Sequence, residues 1–256
     1  IDGDNMERDD WYTSHRVPNA LEAAEAVGRK AGERAVARLN PRKLATQSAP
    51  VLLTPQIAGG FIGHAISALF GGSLYRKTSF LLDSMGKPVF APLVDIVDDP
   101  FIAQAYASSP FDQEGVTCQR RSIIEKGVVR GYFLSAYSAR KLGMQSTGNA
   151  GGNHNLLVTP TMRGDTAVLA RQMGRGLVVT ELMGQGVNPV TGDYSRGAAG
   201  FWVEGGEIAY PVSEITIAGN LLDLYQRIVA IGDDIDRRGS KLVGSLLIES
   251  MQIAGT

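Results

Sequence analysis

Apolar positions in this chain fall into two periodicities, helical in the first third and strand-like in the second half. From Pro18 to Leu39 they recur at Leu21, Ala24, Val27, Ala31, Ala35 and Leu39. That spacing predicts a helix with Asn19 as its cap, ended by Asn40-Pro41 because proline disfavours helix in the residue before it. Pro50–Leu53 reads as a short buried strand. Thr54 then caps a second helix with Ile57, Phe61, Ala65 and Ala68 or Leu69 on its apolar face, closed by Gly71-Gly72. Prolines at 88, 92, 100 and 110 break the next stretch into short pieces, with a helical turn or two expected at Phe101–Ala107. Cys118–Glu125 and Val128–Ser135, separated by Lys126-Gly127, predict a strand pair. Ser138–Gly143 reads as a short loop or helix end.

A glycine-rich polar loop, Ser146-Thr-Gly-Asn-Ala-Gly-Gly-Asn-His-Asn, precedes the apolar run Leu156–Val158. A helix at Asp165–Met173 follows. Two further runs, Leu177–Thr180 and Ala199–Val203, flank a polar loop dense in glycine, and Gly205-Gly206 between glutamates marks a hairpin turn. A helix from about Leu221 to Val229 and a strand at Leu242–Ile248 complete the pattern. The fold class is α+β, with antiparallel strands dominating the second half.

Composition narrows the function classes. The 256 residues carry 25 Lys and Arg against 26 Asp and Glu, a net charge of −1, which offers no electrostatic basis for binding nucleic acid. The single cysteine, Cys118, excludes an internal disulfide and a cysteine-rich zinc site, and fits a reducing cytosol. No run approaches the roughly 20 apolar residues of a membrane helix. Ile1-Asp-Gly-Asp-Asn reads as a strand end and a turn, so the chain is expected to be the second half of a longer protein.

Several polar groups are candidates for chemistry. His154 lies in the glycine-rich loop with Asn149, Asn153 and Asn155, to contact a peptide backbone or to tie the loop down. Gly192-Asp-Tyr-Ser-Arg-Gly places Asp193, Tyr194 and Arg196 on a glycine-lined turn. There Arg196 forks onto a peptide carboxylate, or pairs with Asp193 to order the loop. A triad of Ser195 with His154 lacks the context of a nucleophile elbow. Asp98-Asp99 and Asp233-Asp234 read as solvated turns, Asp112 and Glu114 as turn caps, His15 as exposed and His64 as a partly buried, hydrogen-bonded histidine. Tyr75-Arg-Lys-Thr-Ser-Phe is the one basic-aromatic cluster.

Long ordered segments resemble the PmbA/TldD family. They are residues 178–220, Met6-Glu-Arg-Asp, Pro41-Arg-Lys-Leu, Tyr75-Arg-Lys-Thr-Ser-Phe-Leu-Leu-Asp-Ser-Met-Gly, Phe111-Asp-Gln-Glu-Gly-Val, Ser135-Ala-Tyr-Ser-Ala-Arg-Lys-Leu-Gly and Ile253-Ala-Gly-Thr. The resemblance is to the PmbA (TldE) branch and its C-terminal portion. It implies an antiparallel-sheet-rich C-terminal domain over 1–256 with flanking helices. Residues 1–40 would form an opening strand and helix, 41–110 the helix region of a degenerate metal motif and 111–256 the hairpin-rich sheet, with the family's N-terminal domain absent from this chain.

Members of the family pair with TldD to form a cytosolic metalloprotease that trims flexible peptides; the family has also been described as a modulator of DNA gyrase. The catalytic branch carries His-Glu-x-x-x-His where this chain has Gly59-Gly60-Phe61-Ile62-Gly63-His64. Glycine supplies neither a ligand nor a base, so Gly59, Gly60 and His64 mark a metal motif reduced to one histidine. The further cysteine ligand near the C-terminus is missing as well. The resemblance therefore implies a non-catalytic subunit with no cofactor of its own. Zinc would sit in a TldD-like partner, or the chain would be a homodimer when alone, with unfolded peptide as substrate. The alternatives are a stand-alone hydrolase using His154 with Asp112 or Glu114, or a peptide- or toxin-antitoxin-binding protein without catalysis.

Overall fold

The computed structural model describes residues 1–3 and 5–255; Asp4 of the opening turn and Thr256 of the terminal motif lie outside the described residues. In chain order the elements begin with α1 (Ala24–Ala37), β1 (Gln47–Leu53), α2 (Pro55–Ala68), α3 (Gly71–Tyr75), β2 (Ile96–Asp99), β3 (Arg121–Glu125) and β4 (Val128–Val129). They continue with α4 (Ala136–Leu142), β5 (Asn155–Val158), α5 (Thr166–Met173), β6 (Gly176–Met183), β7 (Asp193–Glu204) and β8 (Glu207–Asn220). The last are α6 (Leu221–Gln226), β9 (Ile228–Ile231), β10 (Lys241–Leu242) and β11 (Leu246–Ala254).

One sheet has the order β1-β6-β7-β8-β11-β9, and β1 also pairs with β11. The pairings β1–β6–β7–β8–β11–β1 therefore form a closed ring, parallel only at β1–β6, where Val51 faces Leu177. Closure removes free strand edges around the ring. The second sheet has the order β10-β5-β2-β3-β4.

The continuous apolar runs of β1 and β6 arise because both faces of the first sheet are covered. Val51, Leu53, Leu177 and Val179 enter the main core, whereas Leu52 and Val178 turn the other way, onto a smaller core with Leu169 and Ala170 of α5. Helix α2 is central to the main core and buries Ala58, Phe61, Ile62, Gly63, Ala65 and Ile66. Phe61 makes edge contacts with Tyr194 and Tyr225, at 5.8 and 5.1 Å between ring centroids. The Tyr225 hydroxyl donates to the Phe61 carbonyl at 2.9 Å.

Turn chemistry matches the sequence in two hairpins. Lys126 and Gly127 both have positive φ, as do Gly205 and Gly206, the geometry of tight turns that follow strand twist. At Gly127 an added Cβ would lie 2.3 Å from the Phe90 carbonyl oxygen, so close approach as well as φ requires glycine. Asp165 and Asn220 cap α5 and α6 through their side chains.

Other expectations are corrected. Pro18–Ala20 is a separate 3-10 turn, and α1 starts at Ala24 without a side-chain cap, so Asn19 does not cap it. No residue of α1 is buried; its stripe Val27, Ala31 and Ala35 is only half-covered. Charged groups hold its end instead. Arg38 pairs with Asp9 and Glu181, and Trp11 lies beneath Lys30 and Arg238. Gly71 opens α3 rather than closing α2, because its amide donates to the Phe133 carbonyl. Phe101–Ala107 is a series of turns, and β9 is a strand that the sequence reading missed. The strands around Lys126-Gly127 are shorter than expected, and Ser138–Gly143 belongs to α4, which ends at Gly143 with φ 66°.

Phe61→Ala is expected to cost about 3–5 kcal/mol, since it opens a cavity between α2 and two tyrosines. Val36→Ala, on the exposed side of α1, should change stability by less than about 0.5 kcal/mol. Equilibrium urea unfolding of both variants checks the contrast.

Candidate functional site

The polar residues singled out in the sequence separate into two clusters. The first is built by the glycine-rich loop folding onto β2. The Asp98 carboxylate is fully buried and accepts from the His154 amide at 2.8 Å, from Asn149 Nδ2 at 2.9 Å and from His154 Nδ1 at 3.2 Å. With a proton on Nδ1, Nε2 of His154 is left as an acceptor, and the Cys118 thiol lies 3.1 Å from it. Arg121 donates to Asn149 Oδ1 at 2.6 Å, and burial lowers its pKa while the Asp98 charge acts in the opposite direction. Burial, aided by the charges of Asp112 and Asp98, pushes the Cys118 thiol up, so it is protonated and shielded at neutral pH.

Asp98 is therefore not a solvated turn residue. A buried carboxylate needs partners, and the network supplies them. The same correction applies to Asp234, which accepts from the Ser245 amide and hydroxyl and from Thr166. Asp112 does act as a turn cap. Burial alone would raise its pKa, but bonds from the amides of Ala150, Val116 and Glu114 and the charge of His154 hold its carboxyl below the usual range. Glu114 accepts from the Ala136 amide at the start of α4. Asn153 donates to the His154 carbonyl and, with His154, lines a depression beside Phe111 and Asp112. His15 is half-buried rather than exposed.

Next to this network lies an open groove of about 410 Å³. Phe70, Gly71 and Tyr75 form one wall, Phe133 and Tyr137 another, and Gly151 and Gly152 the floor. Tyr75 and Tyr137 meet edge to face at 5.7 Å. The groove thus joins the basic-aromatic cluster to the glycine-rich loop, a juxtaposition that the intervening residues 81–145 hide in the sequence.

The second cluster surrounds the degenerate motif on α2. Asp193, Tyr194 and Arg196 do not project from a glycine-lined turn; only Gly192 is in the turn, and Asp193 already belongs to β7. Strand alternation sends Asp193 outwards, where it bonds Thr191 and Asn220, and sends Tyr194 and Arg196 to the opposite face. The expected Asp193–Arg196 pair is therefore absent; Arg196 Nε donates to the Met183 carbonyl at 3.2 Å. Bonds from Thr191 and Asn220 keep the Asp193 carboxyl below its usual pKa. Tyr194 is 1% exposed and packs edge-on to His64 at 6.0 Å. Burial raises its pKa to about 12. Ser195 is exposed on the outer face, away from any histidine partner, and His154 is engaged elsewhere.

Gly59, Gly60 and His64 share this locus. His64 is half-buried, and its pKa is lowered by burial and by the positive charges of Arg196 and Lys241. The side chain of Lys241 crosses α2 at Gly63, where an added Cβ would meet its Cε at 3.0 Å. The residues present do not fit the zinc of the catalytic branch. One histidine between two cations is a poor ligand for a dication, and among the described residues no group of three His, Cys, Asp or Glu side chains is arranged to hold a metal ion. No described helix is long and apolar enough to cross a membrane.

Asn149→Ala is expected to cost about 2–4 kcal/mol, because it leaves both buried Asp98 and Arg121 short of a partner; chemical denaturation measures it. Cys118 should react with a thiol reagent only as fast as the protein opens. Labelling in native buffer at the rate of a free thiol would show that the Cys118–His154 contact is not formed.

Comparison with known proteins places this geometry. Residues 46–255 match the family described as PmbA/TldA metallopeptidase C-terminal domain. Metalloprotease PmbA of Escherichia coli O157:H7 is 51% identical over 251 residues, 98% of this chain and 56% of that protein. A Bacteroides thetaiotaomicron structure, proposed as a modulator of DNA gyrase, superposes with a TM-score of 0.89 at 32% identity, covering 93% of this chain and 54% of that one. TldE from Thermococcus kodakarensis shares the fold, with a TM-score of 0.80 at 23% identity, over 90% of this chain and 55% of its own. The chain spans a little over half the length of the relatives it matches. It belongs to the PmbA/TldD metallopeptidase family.

Proposed function

We propose that this chain is the non-catalytic member of a two-subunit metallopeptidase of the cytosol, which encloses and presents flexible peptide to a partner carrying His-Glu-x-x-x-His. The observation that carries the reading is the chemistry of α2. The two positions that would hold a ligand and a base are Gly59 and Gly60, and the remaining His64 faces Arg196 and Lys241. A site of that charge repels a metal ion rather than holding one.

The groove beside the glycine-rich loop supports a peptide-handling role. Its aromatic walls give apolar contact, and Gly152, where an added Cβ would meet nothing within 4 Å, lets an extended main chain approach the backbone closely. The buried Cys118–His154–Asp98 arrangement has the connectivity of a nucleophile, base and orienting acid. Its thiol is 2% exposed with a raised pKa, which disfavours the stand-alone hydrolase. The zinc and the partner subunit belong to this proposal.

Purified, tag-free protein is expected to contain no stoichiometric zinc and to leave an unstructured peptide uncleaved. Cleavage should appear on mixing with a His-Glu-x-x-x-His family member and vanish with a chelator. One tightly held zinc per chain, or chelator-resistant cleavage by this chain alone, would overturn the reading.

A further inference from the structure

We infer that the degenerate motif has become a carboxylate-binding site, formed by Arg196, Lys241 and the Tyr194 hydroxyl around the open face of Gly60 and His64. Four observations converge on it. Gly60 and His64, four residues apart, share one face of α2, and a Cβ at Gly60 would meet nothing within 4 Å, so the space above it is free. The Tyr194 hydroxyl is buried without a hydrogen-bond partner, in a residue packed on His64. An orphaned buried donor of this kind needs a partner from outside the chain, a water or a bound group.

Arg196 reaches the locus from β7 on the same strand face as Tyr194, and its one hydrogen bond goes to a main-chain carbonyl. Lys241 reaches it from β10, across Gly63. Among the described residues neither cation has a carboxylate within salt-bridge distance, although every buried or half-buried arginine of the first cluster and of the α1 anchor has a polar partner. Two unpaired cations and an unpaired hydroxyl beside an open glycine face are complementary to a planar anion that accepts several bonds at once. In a protein that handles peptides, that anion is the carboxylate of a peptide, at its C-terminus or on an acidic side chain. The inference rests on the reading of α2 as metal-free, because a zinc ion would occupy the same space.

The test uses the full chain, free of metal, and three fluorescent forms of one unstructured peptide: a free acid, its C-terminal amide, and the amide with one internal Glu. Fluorescence anisotropy at low salt should show the free acid or the Glu peptide binding roughly tenfold or more tightly than the plain amide, the effect of one charge-assisted bond. Which of the two binds identifies the carboxylate. Arg196→Gln and Lys241→Met should each bring acid binding down towards the amide, with Tm compared to exclude misfolding. Equal binding of all three wild-type titrations overturns the site without reference to any variant. Zinc found in the purified protein would instead sink the metal-free reading of α2, so the two failures are distinguishable.

Discussion

The burial of one helix against a closed ring of strands governs this structure. Helix α2 presents apolar residues on nearly all sides, and only the face with Gln56, Gly60 and His64 reaches solvent. Such a helix is stable only when surrounded, and β1, β6, β7 and α6 surround it, with Phe61 wedged between Tyr194 and Tyr225. The position of the degenerate motif follows from this packing. The exposed face of α2, with Gly60 and His64, meets the cations Arg196 and Lys241.

The elements with strong periodicity were legible in the sequence. Helices α2 and α5, the β7–β8 hairpin and the Lys126-Gly127 turn all follow from local pattern and turn residues, although Thr54, expected to cap α2, makes no side-chain capping bond where Asp165 does cap α5. What was hidden depends on tertiary partners. A doublet of aspartates looks the same whether solvated or buried, and only the return of the glycine-rich loop onto β2 makes Asp98 an interior group. Likewise, Asp-Tyr-Ser-Arg after a glycine reads as a loop. The ladder to β8, pairing Asp193 with Asn220 through to Glu204 with Glu207, turns it into a strand and sends Tyr194 inwards. The stripe on α1 predicted a buried face, yet charges rather than apolar contacts hold this helix.

The interior network shows how closely a structural and a catalytic arrangement can resemble each other. Cys118, His154 and Asp98 have the distances of a relay, but Asn149 binds the same acid, Arg121 holds Asn149 in turn, and the loop closes over the thiol. Connectivity alone does not make a nucleophile; access and a lowered thiol pKa are also needed, and this environment raises it.

The ring of strands carries a consequence for how the chain acquires its shape. The strand that leads into α2 is zipped to β11 along its length, with Gln47 opposite Ile253, and Thr46 donates to the Gly255 carbonyl 209 residues away. The wall that α2 packs against is therefore completed by a strand far downstream in the chain. Until β11 docks, α2 has an uncovered apolar side and β1 an unpaired edge. Contacts so distant in sequence make for slow closure. That apolar side and that edge are the kind of surface chaperones and proteases recognise on a chain still being made.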